Sequence, residues 1–424
     1  MEMRCTPSVL EGKIKAIPSK ADAHRLLICA FLSKTETVIE CGCFSKDISA
    51  TVGALRSMGA QITETENRIT VNCERVNETA KIDCIESGST LRFLLPVISA
   101  LGINAEITGQ GRLPQRPVSP LKEEMEAHGA VFENGSQFPL KLSGKLTSGE
   151  YTLKGNVSSQ FVSGLLFALP LLSGDSVINL IPPLESVPYI NMTISALKRF
   201  GVEVLWEGNS IKIKGSQSYA SPKSLKVEGD WSNSSFFLCA GAVSKNGVTV
   251  TGLDINSPQG DKEIINILKK IGADVEVTDA GITVKANRLT GLCVDGSDIP
   301  DAVPITAALA AMCQKGVTHF VNSARLRLKE SDRIKSVCEM LTAVGAAASE
   351  TDDGLVVWSD NQLIGGRVEG HNDHRIVMSA AILSCGCALP IDIIGAEAVE
   401  KSYPDFFKDF NSLGGKADVI NDGK

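Results

Sequence analysis

The sequence predicts an α/β chain of the α+β-repeat kind, made of six copies of one βαβαββ unit and grouped into two similar domains. Two interleaved repeats predict it. The segments LRSMGAQI, MEAHGAVF, LKRFGVEV, LKKIGADV, LTAVGAAA and FNSLGGKA place glycines at 59, 129, 201, 272, 345 and 414, in steps of 70, 72, 71, 73 and 69. A second series keeps the same period, with polar clusters near 19, 86, 157, 230, 298 and 372.

The elements follow in order. Each segment of the first series reads as a helix closed by a glycine cap and followed by an alternating strand such as AQITETENRITV. In the second series an alternating strand ends in the polar cluster, which opens an apolar helix. The six are KIKAIPSKADAHRLLICAF, KIDCIESGSTLRFLLPV, YTLKGNVSSQFVSGLLF, LKVEGDWSNSSFFLCAG, LCVDGSDIPDAVPITAAL and RVEGHNDHRIVMSAAIL. Two interleaved series agreeing six times rule out chance glycine spacing. Three units and three units give two domains, with crossings near Pro18 and Gly229. The alternative is a continuous solenoid, whose capping repeats would be atypical.

Composition narrows the function. A net charge of −7 offers no basic surface for nucleic acid. The longest apolar stretch, FVSGLLFALPLL at 161–172, is too short to span a bilayer and is broken by Gly164 and Pro170. The start MEMRCTPSVLEGK lacks the apolar centre of a signal peptide, so a cytoplasmic chain is expected. The twelve cysteines sit singly in apolar patterns or as the CxC pairs Cys41/Cys43 and Cys385/Cys387, and only five histidines are present. Reduced core thiols and no metal site are expected.

Where strands hand over to helices, unpaired N–H groups and the positive end of the helix dipole attract anions. Ser19, Ser87, Ser89, Ser158, Ser159 and Asn372 are capping types at these places. Capping does not explain the cations beside them: Lys20, Arg25, Arg92, Arg116, Lys329, Arg333, Arg375 and Lys401. Cations at a helix N-terminus oppose the dipole, so negative ligands must offset them. No GxxxxGK[ST] or strand-linked GxGxxG is present, so small, multiply charged ligands are expected instead of nucleotides. Asp301 in IPDAV and Glu330 between Lys329 and Arg333 are the types that move protons, although a salt-bridge network would also place acids there. His374 in NDHR is a third candidate proton carrier, or a structural histidine.

These strings, with PSKADAHR, SGSTLR, LPQRP, VSSQF, SVPYI, EGDWSNSSFF, QGD, LKESDR and KSYPDF in order, resemble the 5-enolpyruvylshikimate-3-phosphate synthase family (3-phosphoshikimate 1-carboxyvinyltransferases) over almost the whole chain. The resemblance implies two domains of three units with helices inside, residues 19–227 and 1–18 plus 228–424, and an active site in the cleft between them. It also implies transfer of the enolpyruvyl group of phosphoenolpyruvate to the 5-hydroxyl of shikimate 3-phosphate by addition and elimination. This is a step of the shikimate pathway, toward chorismate and the aromatic amino acids. No cofactor, a monomer, and neither nucleic-acid nor membrane partner are implied.

Roles implied by the resemblance fall on Lys20, Arg25, Ser158, Ser159, Gln160, Ser186, Asp301 and Lys329, with Tyr189 nearby, for phosphoshikimate. For phosphoenolpyruvate they fall on Lys20, Gly88, Arg116, Gln160, Arg333, Arg375 and Lys401. Asp301 would take the hydroxyl proton and Glu330 would deliver one to carbon, among catalytic candidates that include Lys20, Lys401 and His374. Two positions depart from the common pattern: Ala21 where many members have serine, and Arg325 where many have asparagine. The nearest rival is a UDP-N-acetylglucosamine enolpyruvyl transferase, whose members usually carry a cysteine in the loop matching GQGRLPQRP; this loop has none. An RNA 3′-terminal phosphate cyclase-like protein is more distant, and the acidic balance disfavours it.

Overall fold

A computed structural model of the chain describes residues 1–42, 44–359 and 362–422. Cys43 of the first CxC pair lies outside the described residues. The contacts divide the chain into two compact units, Lys20–Val227 and Met1–Ser19 with Glu228–Lys424.

In Lys20–Val227 the helices are α1 (Lys20–Leu32), α2 (Lys46–Ser57), α3 (Gly88–Leu101), α4 (Leu121–Ala127), α5 (Ser159–Ala168) and α6 (Val187–Arg199). The other unit contributes α7 (Trp231–Gly241), α8 (Ile264–Ile271), α9 (Val303–Ala311), α10 (Arg333–Ala343), α11 (His374–Leu383) and α12 (Phe406–Ser412). Six four-stranded sheets accompany them. Each has one spatial order, a parallel pair followed by two antiparallel strands, and in the last sheet Glu2–Thr6 takes the place between Ile391–Ile394 and Lys416–Asn421. Thr79–Asp83, Asn104–Thr108, Leu140–Gly144 and Ala130–Phe132 are one such sheet in spatial order.

The repeat glycines take the conformation a helix end requires. Gly59, Gly129, Gly201, Gly272, Gly345 and Gly414 all have positive φ, between 73° and 113°. A side chain is excluded at Gly59 and Gly272, where a Cβ would lie 2.7 Å from the Arg75 carbonyl and 2.3 Å from the Arg288 carbonyl. Gly272 is itself the cap of α8; the other five stand one residue beyond their caps.

Chain continuity does not decide the partners of two strands. The strand GKIK, which leads in sequence into α1, pairs instead with Val248–Thr251 in the sheet of α7 and α8. The strand Ser224–Lys226, which leads into α7, pairs with Thr37–Glu40 in the sheet of α1 and α2. The first strands of the first and fourth repeats are therefore exchanged, and the chain crosses at Pro18 and Gly229, which bridge each other. Both strings alternate equally well, so periodicity alone could not assign their partners.

The two helices of a repeat differ in burial. α1, α3, α5, α7, α9 and α11 are enclosed along nearly their whole length, and each unit has its own core around its three. α2 and α10 bury only one face, and the strands alternate, as in the burial of every second residue of Glu150–Lys154. This places the handover ends of enclosed helices, with their polar side chains, inside protein. No helix among the described residues is long and apolar enough to cross a membrane. The described cysteines are free thiols, most of them buried.

Candidate active site

In the unit Lys20–Val227 the expected residues gather at the starts of α1, α3, α5 and α6. Arg25, one turn into α1, is 2% exposed and held on three sides. Its Nε donates to Thr193 Oγ1 at 2.9 Å, Nη1 to the Ala21 carbonyl at 2.6 Å and Nη2 to the Tyr189 carbonyl at 2.8 Å. The guanidinium also lies 5.1 Å over the Phe93 ring. Tyr189 thus contributes a backbone oxygen to Arg25. Lys20 Nζ reaches Asp47 Oδ2 at 2.7 Å.

Ser87 caps α3 by accepting from the Thr90 amide, and Gly88 is the first residue of that helix. A Cβ on Gly88 would lie 2.9 Å from Nη1 of both Arg92 and Arg116, so glycine lets two guanidiniums converge on an N-terminus. Two like charges brought to one point require an anion to offset them. Arg92 also donates through Nη1 to Gln160 Oε1 at 2.8 Å, while Gln160 Nε2 donates to Ser89 Oγ at 3.0 Å. The Gln160 amide is therefore pinned at both ends. Ser158 caps α5 by accepting from the Gln160 amide, and Ser159 is buried in the first turn. Ser186 precedes α6 at φ +56°, uncommon for serine, and its side chain makes no capping bond.

In the other unit, Arg333 is the hub. It is 1% exposed and meets three carboxylates: Nε donates to Asp373 Oδ2 at 2.8 Å, Nη1 to Asp301 Oδ1 at 2.7 Å and Nη2 to Glu330 Oε2 at 2.7 Å. Asp373 also caps α11 and accepts from Ser331 Oγ at 3.0 Å. Lys329 Nζ lies 3.9 Å and Arg375 Nη2 3.6 Å from Asp301. Arg375 Nε and Nη1 are buried with no hydrogen-bond partner among the described residues, so this guanidinium has donors left for a ligand. Lys401 Nζ donates to the Asn372 carbonyl at 2.6 Å, and Asn372 is held at φ +52°. His374 is buried, with Nδ1 4.0 Å from Asp373 Oδ1.

Two groups have their protonation set by this packing. Asp301 and Lys329 keep 23% and 26% of their side chains exposed, yet loss of hydration is the largest influence on both. For Asp301 burial favours the neutral acid, but Lys329, Arg375 and Arg333 together outweigh it and hold the carboxyl well below the usual range. For Lys329 burial wins over Asp301, and the ammonium is lowered to about 8. Among the described residues no cluster of histidine, cysteine and carboxylates could hold a metal ion.

Three expectations are refined. Asn372 does not cap α11; Asp373 does. Arg333, expected as a phosphoenolpyruvate ligand, has three of its nitrogens on carboxylates. Arg325, one of the two departures, donates to the Ser297 carbonyl in its own unit. Asp373 went unnoticed as a site residue, although an acid just before an apolar helix is a capping signal.

The family model for EPSP synthase (3-phosphoshikimate 1-carboxyvinyltransferase) matches residues 5–410. Relatives named 3-phosphoshikimate 1-carboxyvinyltransferase from Clostridium kluyveri and Clostridium novyi are 44% and 42% identical, over 99% and 100% of this chain and 98% and 99% of theirs. A solved EPSP synthase from Acinetobacter baumannii superposes with a TM-score of 0.81 at 26% identity, over 99% of this chain and 100% of that one. The enolpyruvyl transferase NikO from Streptomyces tendae shares the fold, with a TM-score of 0.79 at 18% identity over 98% of each chain. The chain belongs to the EPSP synthase (3-phosphoshikimate 1-carboxyvinyltransferase) family.

Proposed function

We propose that this chain transfers the enolpyruvyl group of phosphoenolpyruvate to the 5-hydroxyl of shikimate 3-phosphate and releases phosphate. The observation that carries this reading is the pair Asp301 and Glu330, held 2.7 Å from two nitrogens of one guanidinium in a chain of this family. Two carboxylates fixed side by side among cations suit one proton taken and one delivered.

Asp301 is the base for the 5-hydroxyl, and Glu330 delivers a proton to the methylene carbon, which makes the neighbouring carbon electrophilic. A carboxylate held far below its usual pKa is a weak base. Anionic substrate supplies the correction: its charge offsets Lys329 and Arg375, so the Asp301 carboxylate becomes more basic when ligand is bound. The tetrahedral adduct then collapses: the Glu330 carboxylate takes a proton back from the methyl carbon as the carbon–oxygen bond to phosphate breaks, which restores the double bond and releases phosphate. Arg25, Lys20, Ser158, Ser159, Gln160, Ser186, Tyr189 and Lys329 hold phosphoshikimate. Gly88, Arg116, Arg375 and Lys401 hold phosphoenolpyruvate with Lys20 and Gln160, and Arg333 aligns the two acids as well as serving that ligand. The protein works in the cytoplasm as a monomer.

The test is phosphate released from phosphoenolpyruvate with shikimate 3-phosphate or UDP-N-acetylglucosamine as acceptor. Release with the first alone is expected, and release with the sugar nucleotide alone would sink the reading.

A further inference from the structure

Four buried side chains link α1, α2 and α3. His24 Nδ1 lies 2.7 Å from Thr51 Oγ1, which lies 2.7 Å from Thr90 Oγ1, which donates to Ser87 Oγ at 2.8 Å. Ser87 also accepts the Thr90 amide at 3.2 Å. All four are at most 1% exposed.

Each hydroxyl carries a single proton, so the directions are forced. Thr90 gives its proton to Ser87, and its oxygen must accept from Thr51. Thr51 then has no proton left for the ring, so His24 donates from Nδ1. The unprotonated Nε2 has no hydrogen-bond partner among the described residues. Burial, helped by Lys20 and Arg25, holds this imidazole well below its usual pKa, so the ring is neutral and fixed as one tautomer.

A hydrocarbon side chain could fill this space at lower desolvation cost, so packing alone does not account for the imidazole. Its place does. His24 lies on α1 one turn after Lys20 and directly before Arg25, and Ser87 directly precedes Gly88. We propose that the chain from His24 through Thr51 and Thr90 to Ser87 is a positioning device, which sets Lys20 and Arg25 of α1 against the N-terminus of α3 where Arg92 and Arg116 converge. It rests on the proposed function only for the substrates whose KM values report the alignment.

Thr51→Val and His24→Leu cut the chain, whereas Thr51→Ser keeps the hydroxyl and His24→Asn keeps a donor near the position of Nδ1. One lost hydrogen bond predicts KM values for both substrates raised about five- to tenfold in the first pair, with kcat changed by less than about twofold. The second pair should stay close to the wild type. In protein labelled with ¹⁵N-histidine, the His24 signal, assigned by its loss in His24→Leu, should show the proton on Nδ1 and no titration across neutral pH, and Thr51→Val should release that tautomer. If Thr51→Val melts earlier yet keeps both KM values, or if Thr51→Ser behaves like Thr51→Val, the chain is packing and the proposal fails. A His24 ring that titrates near neutrality or carries its proton on Nε2 also overturns it. Absence of turnover in the wild type would count against the function instead, and the nitrogen spectrum would still decide this proposal.

Discussion

The two cation clusters are held by different chemistry. In Lys20–Val227, Arg25 and Arg92 are tied mainly to neutral acceptors: a threonine hydroxyl, the carbonyls of Ala21, Tyr189 and Pro117, and the amide of Gln160. In the other unit, Arg333 is tied to Asp301, Glu330 and Asp373. Dipoles orient a cation without cancelling its charge, so the first cluster keeps its field for a ligand. Carboxylates cancel most of it and leave a proton-exchanging network. On the proposed function, the same repeat builds a receptor in one unit and an acid–base centre in the other.

The hardest blow to this contrast comes from the acids. Asp301→Ala and Glu330→Gln should lower kcat about 10²- to 10⁴-fold while phosphoshikimate still binds, as measured by steady-state kinetics and calorimetry. Near-normal kcat in either would remove that residue from its role. Next in size is Arg333→Met, which removes the one guanidinium shared by three carboxylates and should destabilise the protein by about 3–5 kcal/mol in denaturant unfolding. Arg25→Met removes a cation held by a hydroxyl and two carbonyls; it should instead raise the phosphoshikimate KM about ten- to a hundredfold. Equal stability losses for the two arginines would erase the distinction.

Lys329 gives a smaller effect with a definite sign. Its folded-state pKa of about 8 lies below the ordinary value of 10.5, so between those two pH values the unfolded chain binds more protons. Stability should therefore rise with pH across that window relative to Lys329→Met, and phosphoshikimate binding should weaken above about pH 8 as the charge is lost. A parallel pH dependence of melting in the two proteins would contradict this. The smallest effect is expected of the departures: Arg325→Asn should raise the phosphoshikimate KM, and adding Ala21→Ser should recover part of the loss. Additivity within about 0.5 kcal/mol would make the two positions independent.

Much of this was legible beforehand, for physical reasons. The six glycines announced six helix ends because only glycine meets a neighbouring carbonyl at positive φ without a clash, as at Gly59 and Gly272. Cations at helix starts marked the clusters that the structure gathers, because they contradict the dipole. The hub at Arg333 was legible only in part: Glu330 stands three residues away, but Asp301 and Asp373 come from positions that no local pattern connects to it. Nor was the tie from Arg92 to Gln160, since an arginine in an apolar helix does not name its acceptor.

The pairing of Glu2–Thr6 with strands far along the chain has a consequence for synthesis on the ribosome. Glu2–Thr6 emerges long before its partners Ile391–Ile394 and Lys416–Asn421, so this strand waits for them through most of translation. Lys20–Val227 can complete its last sheet as soon as Ser224–Lys226 appears. Glu2 and Asn421 face each other in one sheet. A permuted gene that joins them and begins at Lys20 would make both units contiguous, and would let each fold as it is made.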